Sequence, residues 1–385
     1  MRQRNDIVFP MAEFERRLAE LRRRMGVKGV DAMIVTTPQN ITYLTGYQTT
    51  GYYYFQTLVV PLEGEPFMVI RRLEDSNVQT RTWVEQSRPY EDTDEPIGKL
   101  SKALDEFGFA QKRIGYEKHC YFFRATEQER LFGLAAKAQF VDCSGLVEQG
   151  RVVKSEAEIR LMRRAARALE AGMQAGIDAT KPGVSENDVA AAIHYAMFRA
   201  GGEYPAVAPF VCSGPRCAIG HATWEGRTIG RNEPVFLELG GCIQRYHVAM
   251  MRSIWVGDPT PEIREAEKVL SEAIEAVMAS MKSGVPASRP DAVNRAMVEK
   301  NSFGGRQTTR SGYSIGIAYE PDWGEGHILS LQANEERPLQ ENMVFHVIPY
   351  IVVPGKTCFG MSETVRVTPS GGEALVNYER KIFLR

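Results

Sequence analysis

Two stretches of this chain, about 100 residues apart, read alike, and that pairing narrows the architectures open to it. Ala168-Leu169-Glu170-Ala171-Gly172-Met173 resembles Ala273-Ile274-Glu275-Ala276-Val277-Met278. Gly183-Val184 is echoed by Gly284-Val285, Ala196-Met197 by Ala296-Met297, and Gly201-Gly202 by Gly304-Gly305. Each copy is an amphipathic helix pair followed by a strand-rich stretch. A duplication of helix, helix and strands is what a pseudo-twofold α/β domain requires. Two Ala-rich helix pairs also look alike by chance, but the order and the offset hold together here.

The first copy opens near Val153. Ser155 and Glu158 form an S-x-x-E capping box, and Met162, Ala166, Leu169, Met173 and Ile177 then fall on one helical face. Lys181-Pro182-Gly183 ends that helix, and Ser185 with Asp188 starts the next. Upstream, Phe14, Leu18, Leu21 and Met25 recur at helical spacing. Asp31 to Thr36 reads as a buried strand broken by Pro38-Gln39-Asn40. Leu58 to Pro61 and Phe67 to Ile70 flank Glu63-Gly64-Glu65-Pro66 as a hairpin. At 385 residues the chain is too long for one ordinary domain. The expected division is an N-terminal α/β domain over 1–152 and a duplicated domain over 153–385.

A net charge of −1 points to neither nucleic acid nor an anionic membrane as a partner. No apolar run is long enough to span a bilayer. Met1-Arg2-Gln3-Arg4 has no apolar region behind it and does not read as a signal peptide. The six cysteines are scattered without a C-x-x-C pair, which suits reduced thiols in the cytoplasm.

Glu233 to Gly241 reads as a strand ending in a glycine turn, with Glu238 inside its apolar run. A buried carboxylate without partners costs several kcal/mol or has its pKa raised, so Glu238 is either paired structurally or catalytic. His221, in Ile219-Gly220-His221-Ala222-Thr223-Trp224, is a loop histidine open to a structural or a proton-transfer role. Arg245-Tyr246-His247 follows as a polar turn. Gly312 to Tyr319 sets tyrosines beside glycines, which suits core packing or close approach to a ligand.

These segments, in this order, resemble the creatinase/prolidase (pita-bread) superfamily over nearly the whole chain. The resemblance implies an α/β fold: a creatinase-like N-terminal α/β domain and a C-terminal pseudo-twofold pita-bread α+β domain. Metal-dependent members hold two ions with two Asp, one His and two Glu. Those places fall here on Glu238, Ala249, Tyr313, Ile348 and Ser362, with Glu363 beside the last. Alanine and isoleucine cannot ligate, and unsupported tyrosine and serine are poor ligands. The resemblance therefore implies no metal and no other cofactor.

Within the superfamily the chain resembles the ectoine hydrolase subfamily. The shared residues are Tyr204-Pro205-Ala206-Val207, His221-x-Thr223-Trp224, Glu238, Arg245-Tyr246-His247-x-Ala249, Gly312-Tyr313-x-Ile315-Gly316-Ile317, Pro321-Asp322-Trp323-Gly324-Glu325 and Phe345-His346. Creatinase matches at His221 but lacks the Pro-Asp-Trp-Gly-Glu stretch. The chain departs after Thr45-Gly46-Tyr47. Ectoine hydrolases carry a Trp in that region, and here Tyr52-Tyr53-Tyr54-Phe55 follows.

The resemblance implies a metal-independent hydrolase that opens the cyclic amidine of ectoine, or a close relative, to an N-acetyl-diaminobutyrate. Glu238 would be nucleophile or base and His221 the proton shuttle. Substrate contacts would come from Tyr52, Trp224, Tyr246, His247, Tyr313, Tyr319, Trp323, His346 and Glu363. A small-molecule substrate and a homodimer are expected. Creatinase-like hydrolysis of another guanidino, amidino or cyclic amide compound, and a non-catalytic pseudo-peptidase binding protein, are the alternatives.

Overall fold

The computed structural model describes residues 1–353 and 356–385. The chain divides into two compact units, Met1–Arg151 and Val152–Arg385.

In the first unit, α1 (Met11–Lys28) turns Phe14, Leu18, Leu21 and Met25 inward. The chain continues through β1 (Ala32–Val35), α2 (Pro38–Thr45), β2 (Thr57–Pro61), β3 (Phe67–Arg71), α3 (Asp75–Arg81) and β4 (Gln86–Tyr90). It closes with α4 (Pro96–Glu106), β5 (Arg113–Tyr116), α5 (Ala125–Leu134), β6 (Gln139–Asp142) and α6 (Glu148–Arg151). The strands pair in the order β4-β3-β2-β1-β5-β6. β2 and β3 form the expected antiparallel hairpin. Pro38 does more than break β1: it is the first residue of α2, where its fixed φ fits and its missing N–H has no helical partner to lose.

In the second unit, α7 (Glu156–Ala179) begins on the expected capping box: Ser155 Oγ accepts from Glu158 N–H while Glu158 Oε2 accepts from Ser155 N–H. α8 (Glu186–Arg199) begins on a matching box at Ser185 and Asp188. Then come β7 (Phe210–Ser213), β8 (Glu233–Ile243) and β9 (Tyr246–Val256). The second half repeats the order. Helices α9 (Pro261–Ser280) and α10 (Ser288–Val298) precede β10 (Gly312–Tyr319), β11 (Asp322–Gly324), β12 (Ser330–Leu331) and β13 (Val344–Val347). The ribbon β14 (Tyr350–Val353) and β15 (Thr357–Gly360), then β16 (Glu363–Val367) and β17 (Gly372–Ala374), follow. The main sheet runs β17-β16-β13-β10-β9-β8-β7, so strands of the two halves meet where β9 pairs with β10.

One expectation is overturned. The strand carrying Glu238 does not turn at its glycine pair; β8 runs on to Ile243, and Ile243 pairs with Tyr246. The turn falls on Gln244 and Arg245, both at positive φ (51° and 64°). Tyr246 and His247 accordingly belong to β9. The glycines answer a packing demand instead. A Cβ on Gly240 would lie 2.7 Å from the Trp323 ring, and one on Gly241 would lie 2.4 Å from the Ala165 carbonyl oxygen of α7. The non-glycine turn is held by Arg245, whose guanidinium bonds the Ala318 and Tyr204 carbonyls and lies against the rings of Tyr204 and Tyr319.

Candidate active site

Strand periodicity puts Glu238 on the face of the sheet away from α7. Leu237 and Gly241, of opposite parity, pack against that helix side. Glu238 stands in register with Phe210 on β7 and Met251 on β9. Its side chain is partly accessible yet surrounded by protein, as a group on the floor of a recess would be. Burial, and then the negative charge of Asp322, push its carboxyl up to about 7. No cation or hydrogen-bond donor among the described residues offsets either effect.

Four side chains form one hydrogen-bonded row beside it. Trp323 Nε1–H donates to Tyr313 Oη at 2.9 Å. His346 Nδ1 lies 2.8 Å from the same oxygen, and His346 Nε2 lies 2.6 Å from Ser362 Oγ. Sheet register produces this row, because Tyr313 pairs with His346 across β10 and β13. Burial and the nearby Glu238 charge raise the Tyr313 hydroxyl well above its usual value, so it stays protonated. Burial, and then Arg310, hold His346 down near 3, as a neutral imidazole.

Aromatic rings gather at Phe210, the residue in register with Glu238. Phe210 meets Trp323 edge-on at 5.5 Å and stacks on His221 at 5.4 Å. His221 is exposed and held at φ 58°, a conformation that favours glycine. Such outliers gather at functional sites. Arg310 lies 4.7 Å over the Tyr313 ring and makes a long hydrogen bond, 3.4 Å, to Ser330 Oγ.

The other expected contacts are placed as follows. Both ring nitrogens of His247 are engaged by backbone: Nε2 accepts from Ala206 N–H and Nδ1 meets the Arg245 carbonyl. Burial holds His247 near 3. Tyr246 donates to Glu158, and Glu363 is paired with Arg252 and Arg380. Tyr319 is buried against Arg245, and Trp224 meets His194 edge-on at 5.9 Å. Tyr52 lies in the N-terminal unit, edge-on to Phe122. The structure thus groups Glu238, Tyr313, Trp323 and His346, with His221 joined through Phe210. Sequence reading missed Phe210, Arg310, Asp322 and the part played by Ser362. Asp322 carried a signal inside the Pro-Asp-Trp-Gly-Glu run, and Ser362 as a place the resemblance gives to a metal ligand; Phe210 and Arg310 carried none.

The donor set does not fit a divalent ion. Of the five places named by the resemblance only Glu238 is a carboxylate, and the Tyr313 and Ser362 oxygens are bonded to a neutral His346. Among the described residues no group of three or more His, Cys, Asp or Glu is arranged to hold a metal. No helix among them is long and apolar enough to cross a membrane.

A creatinase-type N-terminal unit followed by a duplicated helix–sheet domain is the architecture of the prolidases. The X-Pro aminopeptidase of Thermotoga maritima superposes with a TM-score of 0.84 at 23% identity, over 96% of this chain and 99% of its own. The Creatinase/Prolidase N-terminal domain model matches residues 17–153, and the metallopeptidase family M24 model matches residues 160–369. The chain belongs to metallopeptidase family M24, a family of hydrolases. Ectoine hydrolase of Halomonas elongata is 30% identical over 98% of both chains. An uncharacterized hydrolase/peptidase of Sinorhizobium fredii is 31% identical over 97% of both.

Proposed function

We propose that this hydrolase opens a cyclic amidine bearing a carboxylate, ectoine or a near relative, without a metal. The observation that carries the reading is Glu238: a carboxylate with no cation or donor of its own, among aromatic rings, where a delocalised cation supplies the missing charge. An amidinium is already electrophilic at its central carbon, so a Lewis acid is not required. Arg310, over Tyr313, suits the substrate carboxylate. The similarity to ectoine hydrolase supports the same substrate class.

Glu238 attacks the amidine carbon, or takes a proton from a water that does. The C=N electron pair moves onto ring nitrogen. His221, exposed at the recess edge, passes a proton to the departing nitrogen. The net change adds one water and breaks one ring C–N bond, leaving an acetyl group on the other nitrogen. Turnover of ectoine by chelator-treated protein, with chromatography of the product, tests this. An N-acetyl-diaminobutyrate formed at an undiminished rate supports the reading. Folded protein that turns over ectoine only after metal is added overturns the metal-free mechanism. Folded protein inert to ectoine but active on another amidine or guanidine moves the substrate and keeps the site.

A further inference from the structure

The row Ser362–His346–Tyr313–Trp323 has a direction, and burial sets it. Ser362 and His346 are fully buried. Ser362 Oγ accepts from Met251 N–H at 2.7 Å and lies 2.6 Å from His346 Nε2. A neutral imidazole has two tautomers. With the proton on Nε2, His346 donates to Ser362, and the serine hydroxyl hydrogen finds no acceptor among the described residues. With the proton on Nδ1, Ser362 donates to Nε2 and His346 donates to Tyr313 Oη. Each tautomer leaves one hydroxyl hydrogen without an acceptor in the row; the second leaves that of Tyr313, which is 8% exposed, instead of that of the fully buried Ser362, where an unpaired hydrogen costs more.

The second tautomer has a consequence at Tyr313. Its oxygen accepts twice, from His346 Nδ1–H and from Trp323 Nε1–H, which uses its acceptor capacity. Its own O–H must point away from both, and the charged groups acting on it are Glu238, Asp322 and Arg310. We propose that Ser362 and His346 are positioning residues that fix Tyr313 as a hydrogen-bond donor into the Glu238 recess. Tyr313 therefore meets the substrate through an acceptor atom, such as an oxygen of the carboxylate that Arg310 also faces, and never acts as a base. The proposal rests on the reading of this recess as the active site, but its structural half can be tested without any substrate.

The test is a long-range proton–nitrogen correlation spectrum of histidine-labelled, full-length protein, with the His346 signals identified by their loss in His346→Gln. A protonated Nδ1 beside a bare Nε2, unchanged across the neutral pH range, is expected. A protonated Nε2, or an imidazolium, overturns the proposal whatever the substrate proves to be. In the activity arm, Ser362→Ala is expected to raise KM for a carboxylate-bearing substrate by roughly 10-fold and leave kcat closer to wild type, the worth of one weakened hydrogen bond to a charged group. The same change in a Tyr313→Phe background should cost little more, because Ser362 acts through the Tyr313 hydroxyl. Equal losses in both backgrounds would mean that Ser362 is only structural and would overturn the positioning role.

Discussion

Glu117 and Glu238 both have carboxyls pushed up to about 7, chiefly by burial. Glu117 accepts from Thr36 N–H and Thr37 N–H, each at 2.7 Å, and from the Asn40 amide. Those donors tie α2 to the sheet, and nothing is left for a ligand. Glu238 has no such donors, so its ionised form waits for a cation from outside. The two are told apart by partners, not by pKa. Because the folded value of Glu238 lies above its ordinary 4.5, its contribution to stability is complete below 4.5 and is lost as pH climbs through about 7. Glu238→Gln should therefore raise stability by about 1–3 kcal/mol near pH 8, and by less near pH 5. Urea unfolding at the two pH values checks this. The same variant should lose about 10²–10⁴-fold in turnover, and wild-type kcat/KM should rise with an apparent pKa near 7. A flat profile across that range would remove Glu238 from the chemistry. Arg310→Ala should raise KM for a carboxylate-bearing substrate by about 10–100-fold, the worth of one charge-assisted hydrogen bond, and leave kcat closer to wild type. An amidine lacking the carboxylate should show no such change.

At the scale of elements, the β8–β9 hairpin and its glycines decide how the recess is built. Gly241→Ala drives a Cβ into the Ala165 carbonyl of α7, a backbone atom that cannot swing aside. It should cost about 2–3 kcal/mol by denaturant unfolding. Gly240→Ala meets a ring instead, Trp323, whose indole N–H supports Tyr313. It should lower activity more than stability, with a change in tryptophan fluorescence as the direct sign. The glycine pair was legible in the sequence, but its purpose was not. Gly-Gly after an apolar run is a turn signal, and only the facing helix and indole show that the glycines serve close approach. Arg245 was expected in a polar turn with Tyr246 and His247, but the turn falls on Gln244 and Arg245, whose positive φ is held by Arg245 contacts reaching residues far along the chain.

For the whole molecule, the duplicated domain brings two half-sites onto one sheet, Glu238 from the first half and Tyr313, His346 and Ser362 from the second. The places that the resemblance gives to metal ligands, Glu238, Tyr313 and Ser362, fall at this meeting of the halves. The meeting place holds one carboxylate and a neutral hydrogen-bonded row. Prolonged chelation should leave turnover within about twofold, and added divalent metal should not raise it, because the residues present make a poor ligand set. The homodimer that the family resemblance leads us to propose should sediment at twice the chain mass, and a monomeric active protein would set it aside.

The sequence by itself determined the two-domain order, the duplication, the caps at Ser155 and Ser185, the inward stripe of α1 and the suspicion that fell on Glu238. Each is written in local periodicity, capping chemistry or an apolar run broken by a charge, so neighbours along the chain suffice to read it. Tertiary structure alone decided that Glu238 lacks partners, that His247 and Glu363 are engaged elsewhere, and that Ser362, His346, Tyr313 and Trp323 share one row. Partners of that kind come from strand register between segments far apart in the chain. A one-residue slip in register would turn each of these side chains to the other face of the sheet.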